Sequence, residues 1–255
     1  MLSNMNLYNE LMIQVAVDRV IWNYREIKGK GIPIVILHGW GRGGSEWEIM
    51  GKYLHEKTGR TVLIPDLPGF GGTGITRNIT DIYDYTNALN AWMKYLDIKQ
   101  ASVVGHSLGG RMGVVLGAKY PELVESLVLI APAAVKPMTL RRIILRPLRT
   151  ISRLMPRKIR DILSKSVSDV DGQNIKLRDL YKAVVKYDLT NELPKVKSST
   201  LVVWGERDPI LPLSLLSIYK KHLSNARVRV VWEAGHDPHL THFRDLSRIV
   251  EEVWI

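Results

Sequence analysis

The 255-residue chain contains no cysteine. Disulfides, thiolate metal sites and a cysteine nucleophile are therefore excluded, and the composition suits a reducing compartment. The chain also lacks any run of about 18 apolar residues that would be long enough to cross a membrane. Its first ten residues show neither a basic stretch nor an apolar one, which predicts that there is no signal peptide. We therefore expect a cytoplasmic protein.

Acidic residues are scarce between Lys136 and Lys165, where ten basic residues accompany the single acid Asp161. This segment carries most of the chain's net charge of +11. Four of its arginines recur at helical spacing, although Pro147 should kink or divide such a helix: Arg142, Arg146, Arg149 and Arg153. The pattern is typical of a solvated cationic face, of a contact with an acidic partner protein, or of a contact with an anionic membrane surface. No nucleic-acid-binding motif accompanies it, so we expect no nucleic acid partner.

Short apolar runs alternate with helical patterns along most of the chain. The runs predict strands over 12–17, 20–27, 34–37, 61–64, 101–105, 123–130, 201–204 and 228–232. Helices are predicted over 45–56 (capped by Ser45), 81–96, 108–120 and 213–222, with a last helix ending near 254. This alternation predicts an α/β fold with a mostly parallel, doubly wound sheet.

Residues 132–197 interrupt that alternation. Several prolines divide this stretch into short helical pieces, and it contains no pattern of a buried strand. We therefore predict that 1–131 and 198–255 form the α/β core and that 132–197 form a helical lid inserted above the carboxyl ends of the strands.

The stretch from Val103 to Gly110 joins a β-branched run to a helical segment through Gly105-His106-Ser107-Leu108-Gly109. A serine on a sharp strand-to-helix turn projects its hydroxyl above the sheet, and its strained backbone needs small neighbours. Gly105 and Gly109 supply that space. The helix behind the serine also aims its free N–H groups at the reaction site.

A serine hydroxyl becomes a good nucleophile only with a base and an orienting carboxylate beside it. The strand at 201–204 runs into Asp208, and the strand at 228–232 runs into His236. Nucleophile, acid and then base, each following a strand, is the chain order typical of this geometry. Glu206 and Asp237 are also candidates for the acid.

Two further patterns suggest ligands that we do not expect. His236, His239 and His242 are spaced like metal ligands on a helix, but we assign no metal. The stretch from Gly69 to Gly74 matches Gly-x-Gly-x-x-Gly, yet two prolines separate it from its strand and the next helix begins too late to meet a pyrophosphate. We therefore predict no cofactor.

Five motifs in order resemble the α/β-hydrolase superfamily over nearly the whole chain. They are His38-Gly39-Trp40-Gly41, Asp66-Leu67-Pro68-Gly69-Phe70-Gly71, Gly105-His106-Ser107-Leu108-Gly109-Gly110, Gly205-Glu206-Arg207-Asp208 and Gly235-His236. The resemblance implies the α/β-hydrolase fold, with Ser107 as nucleophile, His236 as general base and acid, and Asp208 as its orienting acid. It also implies an oxyanion hole formed by the backbone N–H groups of Trp40 and Leu108.

These motifs predict a serine hydrolase that cleaves small-molecule carboxylic esters through an acyl-enzyme, and the apolar residues of the lid predict a pocket for short to medium acyl chains. The predicted substrate contacts are Trp40, His38, Leu140, Ile143, Ile144 and Leu148. The chain also resembles methyl ester esterases that act on a pimeloyl-carrier protein, in which the lid arginines would meet an acidic carrier. The competing interpretations are a carbon–carbon bond hydrolase, a cofactor-free haloperoxidase and a non-catalytic ligand binder. The sequence leaves open the oligomeric state and whether Arg111 and Trp40 line the pocket.

Overall fold

The computed structural model describes residues 11–76, 78–136 and 175–254, and an eight-stranded sheet runs through its centre. The strands are β1 (Leu11–Val17), β2 (Val20–Ile27), β3 (Ile34–Leu37), β4 (Val62–Pro65), β5 (Ala101–His106), β6 (Val124–Ile130), β7 (Ser199–Gly205) and β8 (Ala226–Val231). Their order across the sheet is β1-β2-β4-β3-β5-β6-β7-β8. The strands from β4 to β8 in that order pair in parallel, which confirms the predicted doubly wound sheet.

The antiparallel part of the sheet is the hairpin of β1 and β2. Strand β2 also pairs in antiparallel fashion with β4. Its two-residue turn, Asp18-Arg19, has positive φ values of 46° and 67°. Such a turn matches the right-handed twist of the strands that it joins. In the strand order the hairpin lies at one edge of the sheet and β8 lies at the other.

Helices cover both faces of the sheet. They are α1 (Glu48–Thr58), α2 (Ile82–Tyr95), α3 (Leu108–Lys119), α4 (Ile175–Val184), α5 (Leu216–His222), α6 (Pro238–Thr241) and α7 (Phe243–Glu251). Buried residues of α2, α3, α4 and α5 form one hydrophobic cluster with the sheet, and those of α1 and α7 form another on the opposite face. Within β3, Val35 and Leu37 join the first cluster, whereas Ile34 and Ile36 join the second. This alternation is why the strand is apolar throughout.

Two predicted helix boundaries are wrong. The first helix begins at Glu48 instead of Ser45, because residues Gly44–Trp47 form a 3-10 turn and no side chain caps either element. The carboxylate of Asp66 accepts the N–H of Gly44 at 2.7 Å, which holds this turn from a distant part of the chain. The last helix is two helices, α6 and α7, separated at His242.

The described ends of the predicted lid pack against the core. Leu180, Val184, Leu189 and Val196 are all buried in the cluster that contains α2 and α3. The lid boundaries at 132 and 197 stay a prediction, since residues 137–174 lie outside the described residues. Among the helices of the described ranges, none combines the length and the apolar character needed to span a bilayer.

Candidate active site

Ser107 alone makes the turn between β5 and α3. Its backbone angles, φ 50° and ψ −105°, fall in a region that side-chain-bearing residues rarely adopt. Three hydrogen bonds hold the peptide there: its N–H donates to the carbonyl of Ile130, and its carbonyl accepts from Arg111 and Ala133, each at 3.0 Å. The serine therefore stands at a strained, firmly anchored elbow.

The glycines beside the elbow are required by the close approach of strand and helix. A Cβ added at Gly105 would lie 2.5 Å from the carbonyl oxygen of Gly109. One added at Gly109 would lie 2.2 Å from the carbonyl oxygen of Leu37. The elbow geometry thus explains why glycine occupies both positions.

Asp208 and His236 follow β7 and β8 and meet at the carboxyl edge of the sheet. Nδ1 of His236 lies 2.8 Å from Oδ2 of Asp208, and both side chains are buried. The other oxygen of Asp208 accepts the N–H groups of Ile210 and Leu211, at 2.8 Å each. Asp208 therefore caps the turn that follows it and holds the imidazole at the same time.

The other two candidate acids have different partners. Glu206 accepts the backbone N–H of Glu233 at 2.9 Å. Oδ2 of Asp237 lies 2.7 Å from Nη2 of Arg42. The carboxylate that contacts the imidazole of His236 is that of Asp208.

Ser107 and His236 line the same cavity, which has a volume of about 570 Å³. Trp40 and Arg111 line it too, which answers the question that the sequence left open. Leu108 also lines it and is the first residue of α3, so its N–H has no acceptor within the helix. The oxyanion role of the Trp40 and Leu108 N–H groups stays a prediction.

The rest of the cavity wall is largely apolar. Its hydrophobic members are Val135, Tyr181, Val184, Val185, Ile210 and Leu211. Three of these come from the carboxyl-terminal part of the predicted lid. A second cavity, of about 520 Å³, opens near the amino ends of β3 and β5, and none of the described residues that line it is a serine or a histidine.

His38 does not match the expectation that it contacts substrate. It is fully buried and is not among the described residues that line the cavity. Its Nε2 accepts the N–H of Leu67 at 2.9 Å, and its Nδ1 lies 2.7 Å from the carbonyl of Gly39. Burial lowers the pKa of His38 to about 4, so the ring stays neutral. His38 instead joins the loop after β3 to the loop after β4.

The remaining predicted substrate and partner contacts lie outside the described residues. They are Leu140, Ile143, Ile144 and Leu148, and the arginines Arg142, Arg146, Arg149 and Arg153. These assignments stay predictions. Tyr181 was not predicted as a site residue, yet it packs edge-on against Trp40 with ring centroids 5.1 Å apart and lines the cavity.

Asp66 is a supporting residue whose role the motifs did not predict. Its carboxylate accepts from the N–H groups of Gly44 and Gly72 and from the side-chain amide of Asn23, at 2.7 to 2.9 Å. Burial alone would raise the pKa of Asp66, but these hydrogen bonds and the charge of Arg25 outweigh it and lower the pKa. The ionised side chain thus fixes the two loops that follow β3 and β4.

A second group of imidazoles and carboxylates lies behind His236. The possible ligand atoms of His106, Asp237 and His239 all lie within 4.8 Å of one another. Nε2 of His106 lies 2.9 Å from the carbonyl of His236 and therefore carries the hydrogen. Arg42 already neutralises Asp237. Both features disfavour a cation here.

The three histidines with the spacing of metal ligands have different surroundings. His236 is bonded to Asp208, His239 stacks on Trp47 with ring centroids 4.2 Å apart, and Nδ1 of the partly exposed His242 contacts Thr241. Burial lowers the pKa of His239 to about 3, helped by the charge of Arg42. Burial also holds the pKa of His106 well below its usual value.

Comparison with known proteins points the same way as the motifs. Residues 32–152 match the family model described as the alpha/beta hydrolase fold. The chain is 32% identical over 120 residues to an uncharacterized protein of Mycobacterium tuberculosis (strain ATCC 25618 / H37Rv), a match that spans 46% of this chain and 35% of that relative. The chain thus spans about a third of the length of this relative.

Other relatives match over more of their length. A pimeloyl-[acyl-carrier protein] methyl ester esterase of Legionella pneumophila (strain Paris) is 24% identical, over 84% of this chain and 91% of that protein. The crystal structure of a membrane phospholipase A, described as a bacterial virulence factor, superposes with a TM-score of 0.77 at 22% identity, covering 95% of this chain and 85% of that one. The resemblance seen in the motifs is therefore confirmed: this chain has the α/β-hydrolase fold.

Proposed function

We propose that this protein hydrolyses carboxylic esters through an acyl-enzyme on Ser107. The observation that carries the proposal is the 2.8 Å contact between His236 and Asp208 at the cavity that Ser107 lines. Relatives and structural neighbours that are named as esterases and lipases support ester hydrolysis as the reaction class.

The chemistry follows from which nitrogen of His236 is occupied. Nδ1–H donates to Asp208, so Nε2 carries the lone pair and can accept the proton of the Ser107 hydroxyl. The serine oxygen then attacks the ester carbonyl, and the alcohol departs with the proton from His236. Water, deprotonated in turn by His236, attacks the acyl-enzyme and releases the carboxylic acid.

The developing negative charge needs fixed donors. The N–H of Leu108 at the start of α3 and the N–H of Trp40 after β3 are the proposed pair, and both residues line the cavity. The amino end of α3 adds a favourable dipole. One such donor typically lowers the barrier by about 3 kcal/mol.

The apolar wall supports an acyl group of short to medium length as the bound moiety. A cavity of about 570 Å³ falls in the size range of small-molecule sites. The relationship to methyl ester esterases that act on a pimeloyl-carrier protein keeps a carrier-bound ester as a second candidate substrate. The acidic carrier and the anionic membrane surface stay predictions, because the arginines that would contact them lie outside the described residues.

The direct test is a panel of nitrophenyl esters graded by acyl length, run on the wild type and on Ser107→Ala. We expect hydrolysis of at least one short acyl ester, and a loss of about 10⁴-fold or more in Ser107→Ala because nucleophile and base act as a unit. A fluorophosphonate should add covalently to the wild type, and peptide mass analysis should place the adduct on Ser107.

Ser217→Ala is the matched control, since Ser217 is an exposed serine on α5 that is remote from the cavity lining. It should react and hydrolyse as the wild type does. A wild type that neither hydrolyses any ester of the panel nor takes up the label would favour the non-catalytic binder.

A further inference from the structure

Arg111 is a cation in an unusual place. It lies one turn after Ser107 on α3, is only 2% exposed, and lines the cavity. Arginine side chains are almost never this deeply buried unless an anion accompanies them. Burial lowers the pKa of Arg111 to about 10, which still leaves the guanidinium charged at neutral pH.

The partners of the guanidinium are backbone carbonyls. Nη1 donates to Ala133 at 2.6 Å and lies 3.5 Å from the carbonyl of Ala134, and Nη2 donates to Tyr187. Nε has no hydrogen-bond partner among the described residues. Within the same ranges no carboxylate comes within 4.0 Å of this side chain, although the negative charge of Asp188 acts on it from farther away.

Lys136 places a second cation on the same wall. It also lines the cavity, and its ammonium group donates to the carbonyl of Lys186, the peptide next to the one that Arg111 holds. The nearby acid is Asp188, an exposed residue that accepts the backbone N–H of Lys136 at 3.3 Å and bonds to Thr190. Its carboxylate is shared between solvent and Thr190, and its charge also acts on Arg111 and Lys136 without forming a direct ion pair.

The third cation at the cavity is already neutralised. Arg42 pairs with Asp237 at 2.7 Å and with Glu46 at 3.1 Å. Among the described residues that line the cavity, the cations without a direct ion pair are thus Arg111 and Lys136, while Tyr181, Val184 and Leu211 keep the rest of the surface apolar.

We propose that the substrate is an ester that also carries a carboxylate, and that Arg111 binds this carboxylate with help from Lys136. The proposal rests on the proposed ester hydrolysis and names its substrate class. A buried cation without an anion is costly, and a bound carboxylate removes that cost. The planar guanidinium matches a carboxylate in shape, and its buried Nε–H has no hydrogen-bond partner among the described residues. The hydrocarbon between ester and carboxylate would lie along the apolar wall.

The test compares substrates that differ in one negative charge. Monomethyl and dimethyl esters of the same dicarboxylic acids, with four to eight carbons, are hydrolysed by the wild type, Arg111→Gln and Lys136→Met. We expect the wild type to favour the monoester in kcat/KM by tenfold or more. This preference should fall at least tenfold in Arg111→Gln, mainly through KM, and several-fold in Lys136→Met.

Lys182→Met is the matched control, because Lys182 is exposed on α4 and is not among the cavity-lining residues. This substitution removes one positive charge, as Arg111→Gln and Lys136→Met do. It should keep the preference within twofold. A wild type that favours the dimethyl ester, or an Arg111→Gln variant that loses both substrates equally while melting as the wild type does, would overturn the proposal. If Arg111→Gln does not fold, the monoester preference of Lys136→Met tests the proposal, and an unchanged preference in that variant would overturn it.

Binding separates this proposal from the proposed reaction. Calorimetry on Ser107→Ala should show that it binds the monomethyl esters and the free dicarboxylates. In the double variant Ser107→Ala/Lys136→Met, the affinity for the same ligands should be several-fold weaker. Absent hydrolysis by the wild type together with such binding would remove the reaction and keep the carboxylate site. Hydrolysis of neutral esters, without dicarboxylate binding or monoester preference, would keep the proposed reaction and overturn the carboxylate site.

Discussion

Two imidazole–carboxylate groups lie side by side at the carboxyl edge of the sheet, and they differ in how the carboxylate is compensated. His236 hydrogen-bonds Asp208 at 2.8 Å. Behind it, Nε2 of His106 lies 3.7 Å from Oδ1 of Asp237, an oxygen that has no hydrogen-bond partner among the described residues. The ring centroids of His106 and His236 are only 5.0 Å apart. The same residue types at nearly the same place therefore form two different arrangements.

The two carboxylates differ in the groups that bind them. Asp237 pairs with Arg42, whereas Asp208 is held by two backbone N–H groups and an imidazole. Backbone donors fix a carboxylate without neutralising it, so in the proposed reaction Asp208 can still stabilise a positive charge that develops on His236. The contact with His236 supports Asp208 as the proposed acid, and the pairing of Asp237 with Arg42 argues against Asp237.

The largest expected effect comes from replacing each of the two carboxylates in turn by its amide. Asp208→Asn should lower kcat/KM by about 10⁴-fold, because the amide favours the wrong tautomer of His236. Asp237→Asn should cost less than about tenfold, since it loses an ion pair to the partly exposed Arg42. Steady-state kinetics on the best ester of the panel would measure both, and similar losses in the two variants would abolish the distinction.

A smaller effect is expected from the hydrogen bond that links the two groups. His106→Phe removes the donor to the carbonyl of His236 and should lower kcat about fivefold, in line with a hydrogen bond worth about 1 kcal/mol, with little change in KM. His106→Gln keeps an N–H donor and should recover most of the loss. Failure of the glutamine to recover activity, with both variants melting alike, would show that His106 acts through packing alone.

The smallest effect concerns stability and should appear only in acid. The pKa of His239 is lowered to about 3 when folded, against about 6.5 when unfolded, so between these values the unfolded chain binds the extra proton. Stability therefore falls as the pH drops below 6.5. His239→Phe keeps the stack on Trp47 and should remove about 1.4 kcal/mol per pH unit from the slope between pH 6 and pH 4.

Urea titrations at several pH values would measure that slope, with His242→Phe as the control because His242 is partly exposed. An unchanged slope in His239→Phe would mean that His239 is already charged in the folded protein. His38 and His106 have lowered pKa values for the same reason, so part of the acid sensitivity should remain in the variant.

What the sequence could predict depended on local patterns. The positions of the strands followed from apolar runs and the elbow from the glycines around Ser107, because these signals lie within a few residues of what they determine. The order of Ser107, Asp208 and His236 along the chain predicted their meeting, since carboxyl ends of parallel strands share one edge of a sheet. The structure places Asp208 on His236 as that order implies.

What the sequence could not predict depended on distant partners. Helix α1 begins later than predicted because the carboxylate of Asp66 accepts the N–H of Gly44. His38 was predicted to contact substrate, but its ring is buried and its Nε2 accepts the N–H of Leu67. Whether Arg111 lines the cavity depends on carbonyls 22 and 76 residues away along the chain. A periodic pattern carries no record of such contacts.

The ends of β7 and β8 show where this protein can change and where it cannot. A Cβ at Gly205 would lie 2.1 Å from the carbonyl oxygen of Gly235, so any side chain there would push the loop of Asp208 away from that of His236. The wall formed by Tyr181 and Val184 belongs to α4, which is separate from this junction. Changes of the cavity are therefore best sought in that helix, where substitutions would reshape the wall and leave the contact between Asp208 and His236 intact.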